Sequence, residues 1–170
     1  MMCSDNLSGI AVAVYVAKWV GDRHLEGEET FLANYSDGVT ELPLPEQLDH
    51  FQRQGKVASF LGVQPKLSYH LVGVENGGRV TSIRDVRQSG LRINGGYFIF
   101  KQGIFDYVGP GEELVVAPFR WLTEPGELVA YRYDGSWPPM DTVKDKQRLD
   151  EMYRRGETPW QVCNRDSERR

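Results

Sequence analysis

The chain has 170 residues, 40% hydrophobic and 26% charged, with 20 Lys+Arg against 24 Asp+Glu for a net charge of −4. That length suits one domain with a single core, and the ordinary charge density with adequate apolar content argues against wholesale disorder. The acidic balance argues against binding a nucleic acid polymer, which calls for a basic patch or stripe.

In chain order, Gly9–Val20 opens as an apolar stretch that reads equally as a strand or a buried helix. Its apolar run ends at Lys18, too short to span a bilayer, and Asp5 precedes it where a signal peptide would carry basic residues. A cytoplasmic protein with no membrane contact is the expectation. Phe31–Tyr35 reads as a short strand ended by Ser36-Asp37-Gly38. Pro43 and Pro45 suit a helix start, Leu44, Leu48 and Phe51 share one face, and Gly55 is a stop signal. Val57–Val63 follows as a buried strand, so strand, helix and strand predict a right-handed crossover.

The middle changes character. Leu71–Glu75 and Arg79–Ile83 flank Asn76-Gly77-Gly78, which predicts a hairpin with a three-residue turn. Ile93–Phe100 is the strongest strand pattern, yet Asn94-Gly95-Gly96 interrupts its opening. Adjacent glycines in a strand mark a bulge or a close approach to the backbone. Ile104–Val108 and Glu112–Leu122 read as helical, the second kinked near Pro118. Leu128–Tyr133 is a further strand. Thr142 and Asp145 form a capping pair for a last helix with Leu149, Met152 and Tyr153 on one face and Gly156 as its stop. The expected architecture is α/β, a Rossmann-like mixed sheet with flanking helices and a partly antiparallel insertion.

Two acids occupy similar places. Asp37 follows one predicted strand and Asp141 lies in the loop after another, and open α/β sheets bind ligands beyond the carboxyl ends of their strands. Two carboxylates there suit Mg²⁺, which takes oxygen ligands and often substrate phosphates. The alternatives are structural: Asp-Gly is a common turn dipeptide, and Asp141 can cap the final helix. Asn94-Gly95-Gly96 is likewise either a ligand contact or a bulge that serves only the fold. Trp and Tyr residues near Asp141 are pocket walls or core. His24, His50 and His70 lack ligand spacing, and Cys3 and Cys163 form no zinc or disulfide pattern. No serine sits in a nucleophile elbow.

Several of these segments resemble one family, in the right order. Tyr35-Ser36-Asp37-Gly38-Val39, Ile93-Asn94-Gly95-Gly96-Tyr97-Phe98, Gly135-Ser136-Trp137 through Met140-Asp141-Thr142 with Asp145-Lys146, and Thr158-Pro159-Trp160 are similar to motifs of the sugar-1-phosphate nucleotidylyltransferases. The likeness is strongest to the glucose-1-phosphate cytidylyltransferases and covers roughly Leu25 to Cys163. It implies Asp37 and Asp141 as catalytic, magnesium-binding acids, Asn94, Gly95 and Gly96 on the sugar-phosphate side, and Mg²⁺ as cofactor. The implied partners are a sugar 1-phosphate and a nucleoside triphosphate, with a homo-oligomer as a further expectation. The implied reaction joins glucose 1-phosphate to the α-phosphorus of CTP, releasing pyrophosphate.

The chain also departs from that pattern. Met1–Arg23 contains no Gly-Gly-x-Gly-Thr-Arg loop, and Arg84-Asp85-Val86-Arg87 stands where Glu-Lys-Pro is expected, leaving Arg84 or Arg87 to meet the sugar phosphate. Val116 and Ala117 precede Pro118 where an acid is usual, and Ser136 replaces a Phe. The expected organisation is an atypical segment 1–24, a nucleotidyltransferase-like domain 25–163 that begins partway through a larger catalytic domain, and a polar tail 164–170. The alternative function is a non-catalytic sugar-phosphate-binding or assembly module derived from the family.

Overall fold

Four strands form the main sheet: β1 (Thr30–Asn34), β2 (Ala58–Val63), β5 (Ile93–Lys101) and β6 (Leu128–Tyr133), in the order β1-β5-β2-β6. The computed structural model describes residues 30–109, 112 and 115–160; the segment 1–24 with its apolar run and the tail 164–170 lie outside these. β5 runs antiparallel to both β1 and β2, so β1 and β2 are parallel to each other, joined through helix α1 (Leu44–Gln54). β2 and β6 pair in parallel from Ala58↔Leu128 to Val63↔Tyr133. This is the mixed α/β sheet that the alternation of strand and helix patterns implied.

The period-2 alternation of the strands gives the sheet two apolar faces. Leu32 and Ile99 face α1 and pack with its Leu48 and Phe51. Ala58, Phe98 and Phe100 face the other way, onto Ile104 and Leu122. Ile104 belongs to a 3-10 segment, Gln102–Tyr107, and Leu122 to α2 (Val116–Thr123). A third cluster joins Leu42, Leu61 and Val63 to Tyr97, Tyr133 and Trp137 at the carboxyl end of β2. Gly55 closes α1 with a left-handed φ of 64°, its N–H reaching the carbonyls of Phe51 and Gln52.

Three expectations shift. Residues 104–107 belong to the 3-10 segment, with Val108 extended just past it, rather than to an α-helix. The helix expected over 112–122 starts at Val116, which places Pro118 in its first turn, where no backbone hydrogen bond is lost and no kink is needed. The last helix, α3 (Val143–Arg154), has its capping box, with Thr142 and Asp145 bonded reciprocally, yet none of its residues is fully buried. Tyr153, placed on its apolar face by spacing, is exposed.

The hairpin forms as read. β3 (His70–Val74) pairs antiparallel with β4 (Val80–Asp85) as a separate two-stranded sheet, and Gly77 and Gly78 supply positive φ in the turn. Leu71, Val72, Val74, Val80 and Ile83 are exposed on it. Among the described residues no helix is long and apolar enough to cross a membrane.

Phe100 is fully buried and touches Phe31, Phe98 and Phe119. Phe100→Ala is expected to lower stability by about 3–5 kcal/mol, read from the urea midpoint.

Candidate functional site

The site grows from an irregularity in β5. Pairing with β2 runs through Phe60↔Phe98 and resumes at Gly62↔Asn94, so β5 carries two extra residues across the shift. The bulge expected from Asn94-Gly95-Gly96 is therefore present. Asn94 Oδ1 accepts the Gly96 N–H at 2.9 Å, which spends that oxygen on the turn itself. Gly96 has φ 74°, and a Cβ there would lie 2.8 Å from the Tyr35 ring. At Gly95 a Cβ would sit 3.1–3.2 Å from Val63 and Leu61. Both glycines are required by the backbone and by their neighbours.

The two acid-bearing loops meet beside this bulge. Gly38 and Pro139 form an isolated antiparallel bridge, with Val39 N–H donating to Pro138 O at 3.3 Å and Met140 N–H to Asp37 O at 2.6 Å. Asp37 thus stands across from Met140, and Asp141 follows one register step later. Thr40 Oγ1 donates to Ser136 O at 2.9 Å and extends the seam. Both acids are exposed, and among the described residues neither carboxylate has a hydrogen-bond or ion-pair partner. No group of three His, Cys, Asp or Glu side chains converges among the described residues. Two accessible carboxylates without a protein cage fit Mg²⁺ completed by substrate phosphates, better than they fit a closed structural metal centre.

Two side chains fasten these loops to β5. The Tyr97 hydroxyl donates to Gly38 O at 2.9 Å, and Trp137 Nε1–H donates to Gly95 O at 2.8 Å. Burial, with the negative charge of Asp37 second, pushes the Tyr97 phenol up to about 12. The phenol therefore stays protonated, and a donor, at neutral pH.

A cavity of about 280 Å³ opens at the carboxyl ends of the parallel strands β2 and β6, lined by Val63, Lys66, Arg87, Tyr133, Asp134 and Trp137 among others. Arg87 reaches it already paired: its guanidinium bonds Asp85, whose carboxyl is held down to about 2 chiefly by that hydrogen bond. Arg92 bonds Gly62 O, Tyr133 O and Asp134, tying the ends of β2 and β6. Arg84 pairs in register with Leu71 on the hairpin and does not line the cavity. Sequence reasoning singled out Arg87 but missed Lys66 and Tyr97. The available signal for Lys66 was its place just past a buried strand.

This is a Rossmann-like mixed α/β fold. The fold matches the structure of a protein assigned as a glucose-1-phosphate thymidylyltransferase of Bacillus anthracis, in complex with sucrose, with TM-score 0.53 and 14% identity, over 82% of this chain and 59% of that one. Glucose-1-phosphate cytidylyltransferases of Salmonella typhi and Salmonella typhimurium are each 30% identical over 149 residues, 86% of this chain and 56% of theirs. A Bacillus subtilis protein assigned the same activity is 30% identical over 138 residues, 80% of this chain and 54% of its own. No protein-family model matches. Over most of its length the chain is similar to these sugar-1-phosphate nucleotidylyltransferases, and it spans little more than half of theirs.

Two outcomes follow from the geometry. Gly96→Ala is expected to cost about 1–3 kcal/mol, from left-handed strain and the Tyr35 clash, measured by chemical denaturation. Because folding raises the Tyr97 pKa from 10.0 to about 12, the native state binds the proton more tightly than the unfolded chain. The stability this confers is full below about pH 10 and is lost as pH rises towards 12. Tyr97→Phe is expected to flatten that decline in denaturation curves recorded across the range.

Proposed function

We propose that the chain carries the sugar-phosphate side and the two acids of an Mg²⁺-dependent nucleotidyl transfer. A phosphate oxygen of glucose 1-phosphate attacks the α-phosphorus of CTP, the bond to the β-phosphate breaks, and CDP-glucose and pyrophosphate leave. The observation that carries this reading is the Gly38–Pro139 bridge, which sets the Asp37 and Asp141 loops side by side next to Gly95 and Gly96. The names of the aligned cytidylyltransferases supply the base and the sugar.

Each residue's part follows from its chemistry. Asp37 and Asp141 would hold Mg²⁺, which when bound offsets charge repulsion between two anionic substrates. Lys66 and Arg87 lie at the cavity and meet phosphate charge, Lys66 without an ion pair among the described residues and Arg87 by sharing itself with Asp85. Tyr133 and Trp137 offer flat walls to a sugar ring. Asn94, Gly95 and Gly96 would bring the bulged backbone up to the ligand. Transfers of this type depend on positioning and charge neutralisation more than on covalent catalysis.

The second reading is a sugar-phosphate-binding or assembly module without catalysis. It is favoured by one observation: Arg87, one of the two cations lining the cavity, is already paired with Asp85, which leaves Lys66 to meet a single phosphate more readily than a triphosphate.

The test mixes the chain with CTP, glucose 1-phosphate and Mg²⁺ and follows pyrophosphate. Release is expected, falling at least about 100-fold in Asp37→Asn and in Asp141→Asn. Release that survives both substitutions removes the metal assignment. No release, together with Mg²⁺-dependent glucose 1-phosphate binding in calorimetry, selects the second reading. The absence of both rejects the two readings together.

A further inference from the structure

Neither acid is fixed by its own side chain. Both are exposed and unbonded among the described residues, so their placement is inherited from the backbone that carries them. The seam of Val39–Pro138, Met140–Asp37 and Thr40–Ser136 bonds ties the two loops to each other, leaving open what holds the pair against β5. The β1–β5 ladder reaches Asn34 opposite Tyr97, and Tyr35 N–H donates to Gly96 O just beyond it, short of the acid loops themselves.

We propose that Tyr97 and Trp137 are positioning residues that clamp the paired acid loops onto the β5 bulge through their hydrogen bonds to Gly38 O and Gly95 O. The inference rests on the reading that Asp37 and Asp141 act together. The two bonds cross. Tyr97, on β5, reaches out to the Asp37 loop, and Trp137, on the Asp141 loop, reaches in to β5. Each end of the seam is therefore pinned by one donor. The Trp137 ring also fills the space beside Gly38, 3.5 Å from where a Cβ would stand. Trp has a donor and no acceptor, so this contact has one polarity only. Loss of either bond leaves the seam intact but lets it shift as a unit relative to Gly95 and Gly96.

Tyr97→Phe separates this role from core filling, because it keeps the ring and removes only the hydroxyl. Amide hydrogen exchange is measured at Val39 and Met140, the two seam donors, and at Ile99 and Phe100 within β5. Tyr97→Phe is expected to speed exchange at Val39 and Met140 by about fivefold or more, the size of one net hydrogen bond, while Ile99 and Phe100 change less than about twofold. Trp137→Phe is expected to do the same from the other end. Unchanged exchange at Val39 and Met140 overturns the proposal, as does an equal rise over all four amides, which would mark a general loss of stability. Mn²⁺ titration of the same proteins, read by calorimetry, tests the underlying reading separately. Binding by the unaltered chain that weakens about fivefold in Tyr97→Phe supports both. An unaltered chain that takes up no Mn²⁺ rejects the metal reading, and the exchange data still decide the clamp.

Discussion

Strand β5 is the member on which the structure depends. It pairs on both sides, with β1 and β2, and its side chains enter all three apolar clusters. A strand so placed needs regular pairing to hold the sheet and, under the proposed function, an interruption to bring backbone up to a ligand. β5 separates the two demands along its length. Phe98 to Lys101 keeps strict register and supplies the buried Phe100 and Ile99, whereas Gly95 to Tyr97 leave the β2 ladder to form the bulge. The order of the chain thus sets stiff packing directly beside the irregular stretch, and a rigid element positions a site more accurately than a loop does.

The parts legible in the sequence were those determined locally. The hairpin could be read because Asn76-Gly77-Gly78 carries its turn chemistry within three residues. The α3 capping box could be read because Thr142 and Asp145 answer each other across one turn. Asn94-Gly95-Gly96 announced a bulge for the same reason. The start of α2 was misplaced because Pro118 resembles a helix breaker unless it is known to fall in the first turn.

What escaped the sequence was long-range. The Gly38–Pro139 bridge joins positions about a hundred residues apart, and no periodicity links them. Arg87 was visible as a cation near the expected site, but its commitment to Asp85 was not. Tyr97 looked like one more aromatic in a strand, and only the folded chain shows its hydroxyl turned to a carbonyl of the Asp37 loop. Family motifs narrowed that gap, because they grouped Asp37, Asn94-Gly95-Gly96 and Asp141 before any contact was known.

The β3–β4 hairpin has a different kind of consequence. It forms its own small sheet, and its feet adjoin Lys66 on one side and Arg87 on the other, both at the cavity. Its tip, between Glu75 and Arg79, is the end farthest along the ladder from those feet. The entropy of closing a loop grows only slowly with its length. Extra residues inserted at the tip therefore burden the fold little and leave the cavity walls as they are. The tip is accordingly the natural point at which to attach a reporter, a tether or a second domain without disturbing the binding chemistry.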